Sequence, residues 1–190
     1  MLNNNDINTV IQGCISCNRI SQKEFYKTYY GYCASICLRY VHNEDVVVEV
    51  VNDGFIKIFK ELNNFKITAI NVETRLMGWI KVIMINTSID YYRRNKKNDF
   101  LVSNSEIVVE NYSSIEETPI DKLSYYEVLS LTEGLFPLQK IVFNMHVVDG
   151  ISQEDVAKHL NISIGTVKSS VYRARHKIME LIQSKYKKLV

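Results

Sequence analysis

The sequence predicts an all-α protein of two small helical domains joined by an acidic flexible linker, the second a helix-turn-helix domain. Three observations carry that prediction. The 190 residues hold only 7 Gly and 2 Pro, so long stretches contain nothing that must end a helix. Apolar residues recur at helical spacing in two blocks. Between them, Asn98 to Asp121 carries Asp99, Glu106, Glu110, Glu116, Glu117 and Asp121 with no basic residue and a scatter of Ser and Asn. A segment of that composition cannot bury much surface and reads as a linker. The expected divisions are 1–97, 98–121 and 122–190.

Composition narrows the class further. A hydrophobic share of 46% and a charged share of 23% exclude a disordered or collagen-like chain. The run Ile80 to Ile85 is broken at Lys81 and falls far short of the roughly 20 apolar residues of a membrane span. The first twenty residues are rich in Asn and lack the basic and apolar regions of a secretory signal. Cytoplasmic residence without membrane insertion is the expectation.

The first helix is expected near Ser21 to Val41, where Phe25, Tyr29, Tyr32, Ile36 and Tyr40 fall near one another. Cys33 and Cys37 lie on it one turn apart, and Cys14 and Cys17 form a C-x-x-C pair. Tetrahedral zinc can use such spacings. On a helix lined with aromatics, small buried thiols are the simpler reading, so no metal or other cofactor is expected.

The second helix, near Asp45 to Leu62, holds Val46, Val47, Val48, Val50 and Val51, residues with strand propensity. The stripe Val47, Val51, Phe55, Ile58 and Leu62 keeps the helical assignment, although Gly54 weakens the helix by roughly 1 kcal/mol relative to Ala. A third helix, near Glu73 to Lys97, puts Leu76, Ile80, Ile83 and Thr87 on one side and Trp79, Asn86, Asp90 and Arg93 on another. Asp90 and Arg94 are spaced for an i,i+4 ion pair. Arg93, Arg94, Lys96 and Lys97 concentrate positive charge at its carboxyl end, where it complements the helix dipole.

In the last block, Ser152-Gln153-Glu154-Asp155 resembles a capping box and opens a short helix with Val156, Ala157 and Leu160 on one face. A turn at Asn161-Ile162-Ser163 follows, and Ser163 can cap a second helix whose Val167, Val171, Ala174, Ile178 and Leu181 face inward. That leaves Thr166, Lys168, Ser169, Ser170, Tyr172, Arg173, Arg175, His176 and Lys177 outward. Ser152 to Val190 holds eight basic residues against three acids, a net +5, while the whole chain is only +2. A helix about 10 Å wide fits the major groove, its Lys and Arg neutralise phosphates, and short hydroxyl side chains permit close approach.

The stretch from Ile151 to Arg175, with its G-T-V-K-S and R-A-R portions, resembles the DNA-binding domain of extracytoplasmic-function (ECF) sigma factors of bacterial RNA polymerase. Upstream, Phe25 to Tyr30 looks like the opening helix of that family. Glu49 with Asn52-Asp53-Gly54-Phe55 is similar to its polymerase-binding segment. Trp79-Ile80 followed by Asn86, Asp90, Arg93 and Arg94 is similar to its promoter-melting helix. The resemblance runs from about Ser21 to Leu181.

The resemblance implies a sigma factor that binds core RNA polymerase and directs promoter recognition, DNA melting and transcription initiation. Asp45, Glu49, Asn52, Asp53 and Phe55 would bind the largest-subunit clamp. Trp79, Asn86, Asp90, Arg93 and Arg94 would hold and melt the downstream element, with Tyr91 and Tyr92 as further stacking rings and a flipped base held near Asn63 to Val72. Thr166, Lys168, Ser169, Ser170, Tyr172, Arg173 and Arg175 would read the upstream element, and that domain would dock on the flap. Promoter DNA, double- and single-stranded, and an anti-sigma factor are the other implied partners. This chain departs from the family pattern at Asn52, where Gln is common, at Gly54, at Val46 to Val48, where acids are usual, at Ser170, where Arg is frequent, and in a longer loop from Lys66 to Val72.

The alternative is a stand-alone helix-turn-helix regulator, in which Asn86, Asp90, Arg93 and Arg94 have no task. A zinc- or redox-responsive protein would rest on the four cysteines. No enzyme is expected. His42, His146, His159 and His176 make no metal-ligand spacing with carboxylates, and the sequence has no Gly-rich phosphate loop or nucleophile elbow.

Overall fold

A computed structural model of the chain describes residues 4–41, 44–67, 71–95 and 130–187. These fall into two compact units, and among the described residues all regular structure is helical. The expected linker, 98–121, and His42 lie outside the described residues.

The first unit contains α1 (Asn4–Ile15), α2 (Arg19–Leu38), α3 (Glu44–Glu61), a 3₁₀ turn (Leu62–Asn64) and α4 (Val72–Asn95). Helix α2 packs against the other three. The sequence reading missed α1 and began the first helix at Ser21. The Asn-rich start hides the helix, yet Ile7, Val10, Ile11 and Cys14 are buried at helical spacing. Cys17 adopts the left-handed conformation, φ 57°, and Asn18 then caps α2 by accepting from the amides of Ile20 (2.9 Å) and Ser21 (3.1 Å).

The valine-rich segment is α-helical, and Val47, Val51, Phe55, Ile58 and Leu62 all lie in the core. Strand propensity yields here because the stripe can be buried only at helical period. Gly54 has a packing reason: a Cβ at that position would overlap the Met84 thioether of α4. The propensity lost in α3 is the condition for its close approach to α4.

Three thiols sit in this core. Cys14, Cys33 and Cys37 are buried, whereas Cys17 is exposed. Burial pushes Cys14 up to about 11 and Cys37 up to about 12, raises Cys33 as well, and takes the Tyr29 hydroxyl up to about 12. Among the described residues no group of three or more His, Cys, Asp or Glu stands close enough to hold a metal ion.

An unfolded thiol ionises near its ordinary 9.0 while the folded thiols remain protonated, so the native state binds more protons above that pH. Their contribution is fully present below pH 9 and is lost as pH rises towards 11–12. The thermal midpoint of this unit is expected to be flat from pH 6 to 8 and to fall by several degrees or more between pH 9 and 11. Native protein should alkylate rapidly at Cys17 alone. Rapid labelling of all four cysteines would contradict the burial.

The second unit comprises a helical turn at 130–133, α5 (Pro137–Phe143) running into a π-helical segment (Asn144–Val148), α6 (Gln153–Leu160) and α7 (Ile164–Lys187). Its core joins Ile141, Val142 and Met145 to Val156, Ala157, Leu160, Val167, Val171 and Ala174. Lys140, not singled out from sequence, is 1% exposed, and burial pushes its amine down to about 8. No helix among the described residues is long and apolar enough to cross a membrane.

Candidate functional site

The helix-turn-helix is built by its caps. Ser152 Oγ accepts from the Asp155 amide (3.1 Å) and donates to the Asp155 carboxylate (2.8 Å), closing the amino end of α6. Asn161, left-handed at φ 51°, ends the helix, with the amide of Ile162 donating to the Ala157 carbonyl at 3.1 Å. Two residues later Ser163 Oγ accepts from the Thr166 amide at 3.0 Å and starts α7. Only three residues separate α6 from α7, so the turn angle is set locally before any packing is considered.

With Val167, Val171 and Ala174 buried, the basic side chains that follow on α7 are presented outward. Lys168, Arg173, Arg175, His176 and Lys177 are exposed, and Tyr172 is 71% exposed. Thr166 and Ser169 are half-buried, and their hydroxyls are engaged within the helix start: Thr166 with Ser163 at 2.9 Å, and Ser169 donating to the Thr166 carbonyl at 3.0 Å. Ser170 corrects the sequence reading. It is 6% exposed, because it lies one turn from Val167 and beside Val171 on the packed side, so it cannot stand among the outward contacts.

In the first unit the expected polymerase-binding residues divide. Asp45 and Glu49 are exposed on α3. Asn52 accepts a hydrogen bond from the Tyr26 hydroxyl at 3.0 Å, and Asp53 pairs with Arg94 of α4 at 3.4 Å. Phe55 is a correction: it is 2% exposed, its ring 4.5 Å from that of Tyr26, so it holds α3 in place and cannot touch a partner directly.

Helix α4 brings the expected melting residues to one side. Trp79 is half-buried with its ring 5.5 Å from Phe65, and Asn86 is half-buried while Arg93 and Arg94 are exposed. The expected Asp90–Arg94 pair is replaced by a different arrangement. Asp90 meets Lys57 of α3 at 3.0 Å and Arg93 at 3.6 Å, and Arg94 turns to Asp53. Pairing across to α3 wins because the two helices pack side by side, a fact that spacing within one helix cannot reveal. Tyr92 is buried, which removes it from the stacking rings expected on this face. The packing of Phe65 on Trp79 was also missed, since no local pattern links a loop aromatic to a helix fourteen residues on.

Family comparison matches residues 25–98 to sigma-70 region 2 and residues 125–178 to sigma-70 region 4. The chain belongs to the sigma-70 family of RNA polymerase sigma factors. This sigma factor is 27% identical over 168 residues to the ECF RNA polymerase sigma-E factor of Haemophilus influenzae, covering 82% of this chain and 84% of that one. It is 29% identical over 168 residues to the protein of that name from Escherichia coli strain K12, covering 79% and 80%. A solved chain, the sigma factor RpoE of Bartonella quintana in complex with the anti-sigma factor NepR, aligns with a TM-score of 0.47 at 20% identity, covering 85% of this chain and 96% of that one. The sigma factor directs promoter recognition, and the helix-turn-helix of its second unit is its region 4.

Proposed function

We propose that the two units divide initiation between them. Residues 1–97 bind core polymerase and open the downstream element, residues 98–121 link, and residues 122–190 read the upstream element in duplex DNA. The observation that carries this reading is the outward face of α7, basic and hydroxyl-bearing, set by caps at both ends of a short turn. Lys168, Tyr172, Arg173 and Arg175, with Thr166 and Ser169 at the helix start, are the contacts. Asp45 and Glu49, with Asn52 and Asp53, meet the largest-subunit clamp, and region 4 docks on the flap.

Trp79, Asn86, Asp90, Arg93 and Arg94 serve strand opening. The acidic linker suits the basic path later taken by RNA. The protein works in the cytoplasm as an initiation factor, not as an enzyme, and an anti-sigma factor is the partner that family membership implies.

Run-off transcription from a fragment library, with core polymerase in the presence and absence of this chain, tests the reading. Sequence-specific starts that require the chain support it. No added starts with a cognate core, together with tight duplex binding by the chain alone, would leave a stand-alone regulator.

Asp53→Ala is expected to weaken core polymerase binding severalfold. Its pairing with Arg94 is 40% and 60% exposed, so the stability change should stay within about 1 kcal/mol. Arg94→Ala breaks the same pair from the other side. If both variants lose core binding equally, the ion pair is responsible and not a direct contact by Asp53.

A further inference from the structure

Beside the reading face of α7 lies a groove of about 390 Å³ between the start of α5 and the middle of α7. Two rings stand at it, Phe136 at 75% exposure and Tyr172 at 71%, and Gln139, Arg173 and Lys177 add an amide and two cations to its lining. The groove's one acid is Glu180. Its carboxylate is already engaged, 3.3 Å from His176 Nδ1 and 3.5 Å from Lys177 Nζ.

The chemistry fits a sugar-phosphate strand. Deoxyribose offers an apolar face to a ring, and phosphate oxygens accept from Arg, Lys and an amide. Location narrows the source of that strand. Tyr172 and Arg173 belong both to the reading face and to the groove lining, so a duplex seated on that face lies over the groove.

We propose that the groove grips the sugar-phosphate strand flanking the upstream promoter element. Phe136, Gln139 and Lys177 are its positioning residues, and Glu180 restrains the grip by competing for Lys177. The inference rests on the assignment of α7 as the reading helix. Backbone contacts carry no sequence information, so the groove adds affinity and register without changing the preferred sequence.

The test uses holoenzyme reconstituted from core polymerase and full-length chain. It binds two labelled promoter duplexes, one ending at the upstream element and one extended by a turn of flanking DNA on either side. Phe136→Ala and Lys177→Ala should each weaken binding to the extended duplex roughly tenfold and leave the short one nearly unchanged. Lys177→Ala should also lower the salt slope by about 0.9. Glu180→Gln should move the other way and tighten binding to the extended duplex, a gain that loss of folding cannot mimic.

Equal effects on both duplexes, or no effect of any of the three, would overturn the inference, provided that Arg173→Ala with Arg175→Ala still abolishes binding to both. If that arginine pair has no effect, the reading-helix assignment itself fails. Groove variants that lose core polymerase while binding DNA normally would assign the groove to a polymerase segment and overturn the proposal.

Discussion

Replacing Arg173 and Arg175 together by alanine is expected to abolish recognition of the upstream promoter element. Both side chains are exposed on α7, and alanine is the best helix former, so the double variant should fold as the parent does. What is lost is chemistry. Each guanidinium presents five donors in a planar fork, matched to phosphate oxygens or to the O6 and N7 of guanine.

A contact of either kind is worth about 1–3 kcal/mol, which for the pair amounts to about 30-fold to 10⁴-fold in affinity. The salt dependence separates the two kinds. If both arginines neutralise phosphates, the slope of log K against log salt falls by about 1.8 and the ranking of promoter sequences is kept. If both read bases, the slope changes little and the preference relaxes at their positions. Holoenzyme binding to a promoter duplex, titrated across salt, reads all of this, and unchanged binding would remove α7 from the reading role.

That helix was legible in the sequence because every step of it is local. Ser152, Asn161 and Ser163 each act on neighbours within four residues, and the caps expected at the two serines and the turn expected at Asn161 are those observed. The stripe Val47, Val51, Phe55, Ile58 and Leu62 was legible for a similar reason, since burial at helical period outweighs the strand propensity of single valines.

The misses share a physical cause. Helix α1 opens on a run of Asn, and its buried anchors among the described residues, Ile7, Val10, Ile11 and Cys14, are too few to outweigh its polar composition in a local window. The partners of Asp90 and Arg94, Lys57 and Asp53, come from another helix. Phe55 was given a partner contact by family position and Ser170 an outward place by what the apolar stripe of its helix left over, but the exposure of both is decided by the packing of neighbouring elements. Gly54 reads as a defect until Met84 is seen against it.

The two cross-helix pairs also bear on how binding and melting are joined. Asp53 and Asp90, proposed for polymerase binding and for melting respectively, are each tied to the other helix, through Arg94 and Lys57. A partner that engaged Asp53 would release Arg94 towards DNA. The side chains are 40–60% exposed, so the exchange costs little, about 1 kcal/mol or less. The charges proposed to meet the polymerase are therefore continuous with those proposed to meet the opened strand.

Trp79→Ala is expected to block promoter opening while sparing duplex recognition, which is proposed for the other unit. The indole is half-buried against Phe65, so it is held in place and yet keeps a surface on which an unpaired base can stack. Stacking of one base on an aromatic ring is worth about 1–3 kcal/mol, and expelling a base from the duplex costs a few kcal/mol. Removing the ring should thus reduce the population of open complex about tenfold to a hundredfold.

Trp79→Phe keeps a ring beside Phe65 and should recover most of the activity, whereas a purely structural role for Trp79 would make its rescue track thermal stability instead. Permanganate reactivity of unpaired thymines in the holoenzyme–promoter complex measures opening directly. On a template already mismatched across the start region the duplex cost is absent, and Trp79→Ala should then initiate at close to the parental rate. Normal opening by Trp79→Ala on duplex promoter would remove α4 from the melting role, and failure on the mismatched template as well would place the defect in polymerase binding or folding.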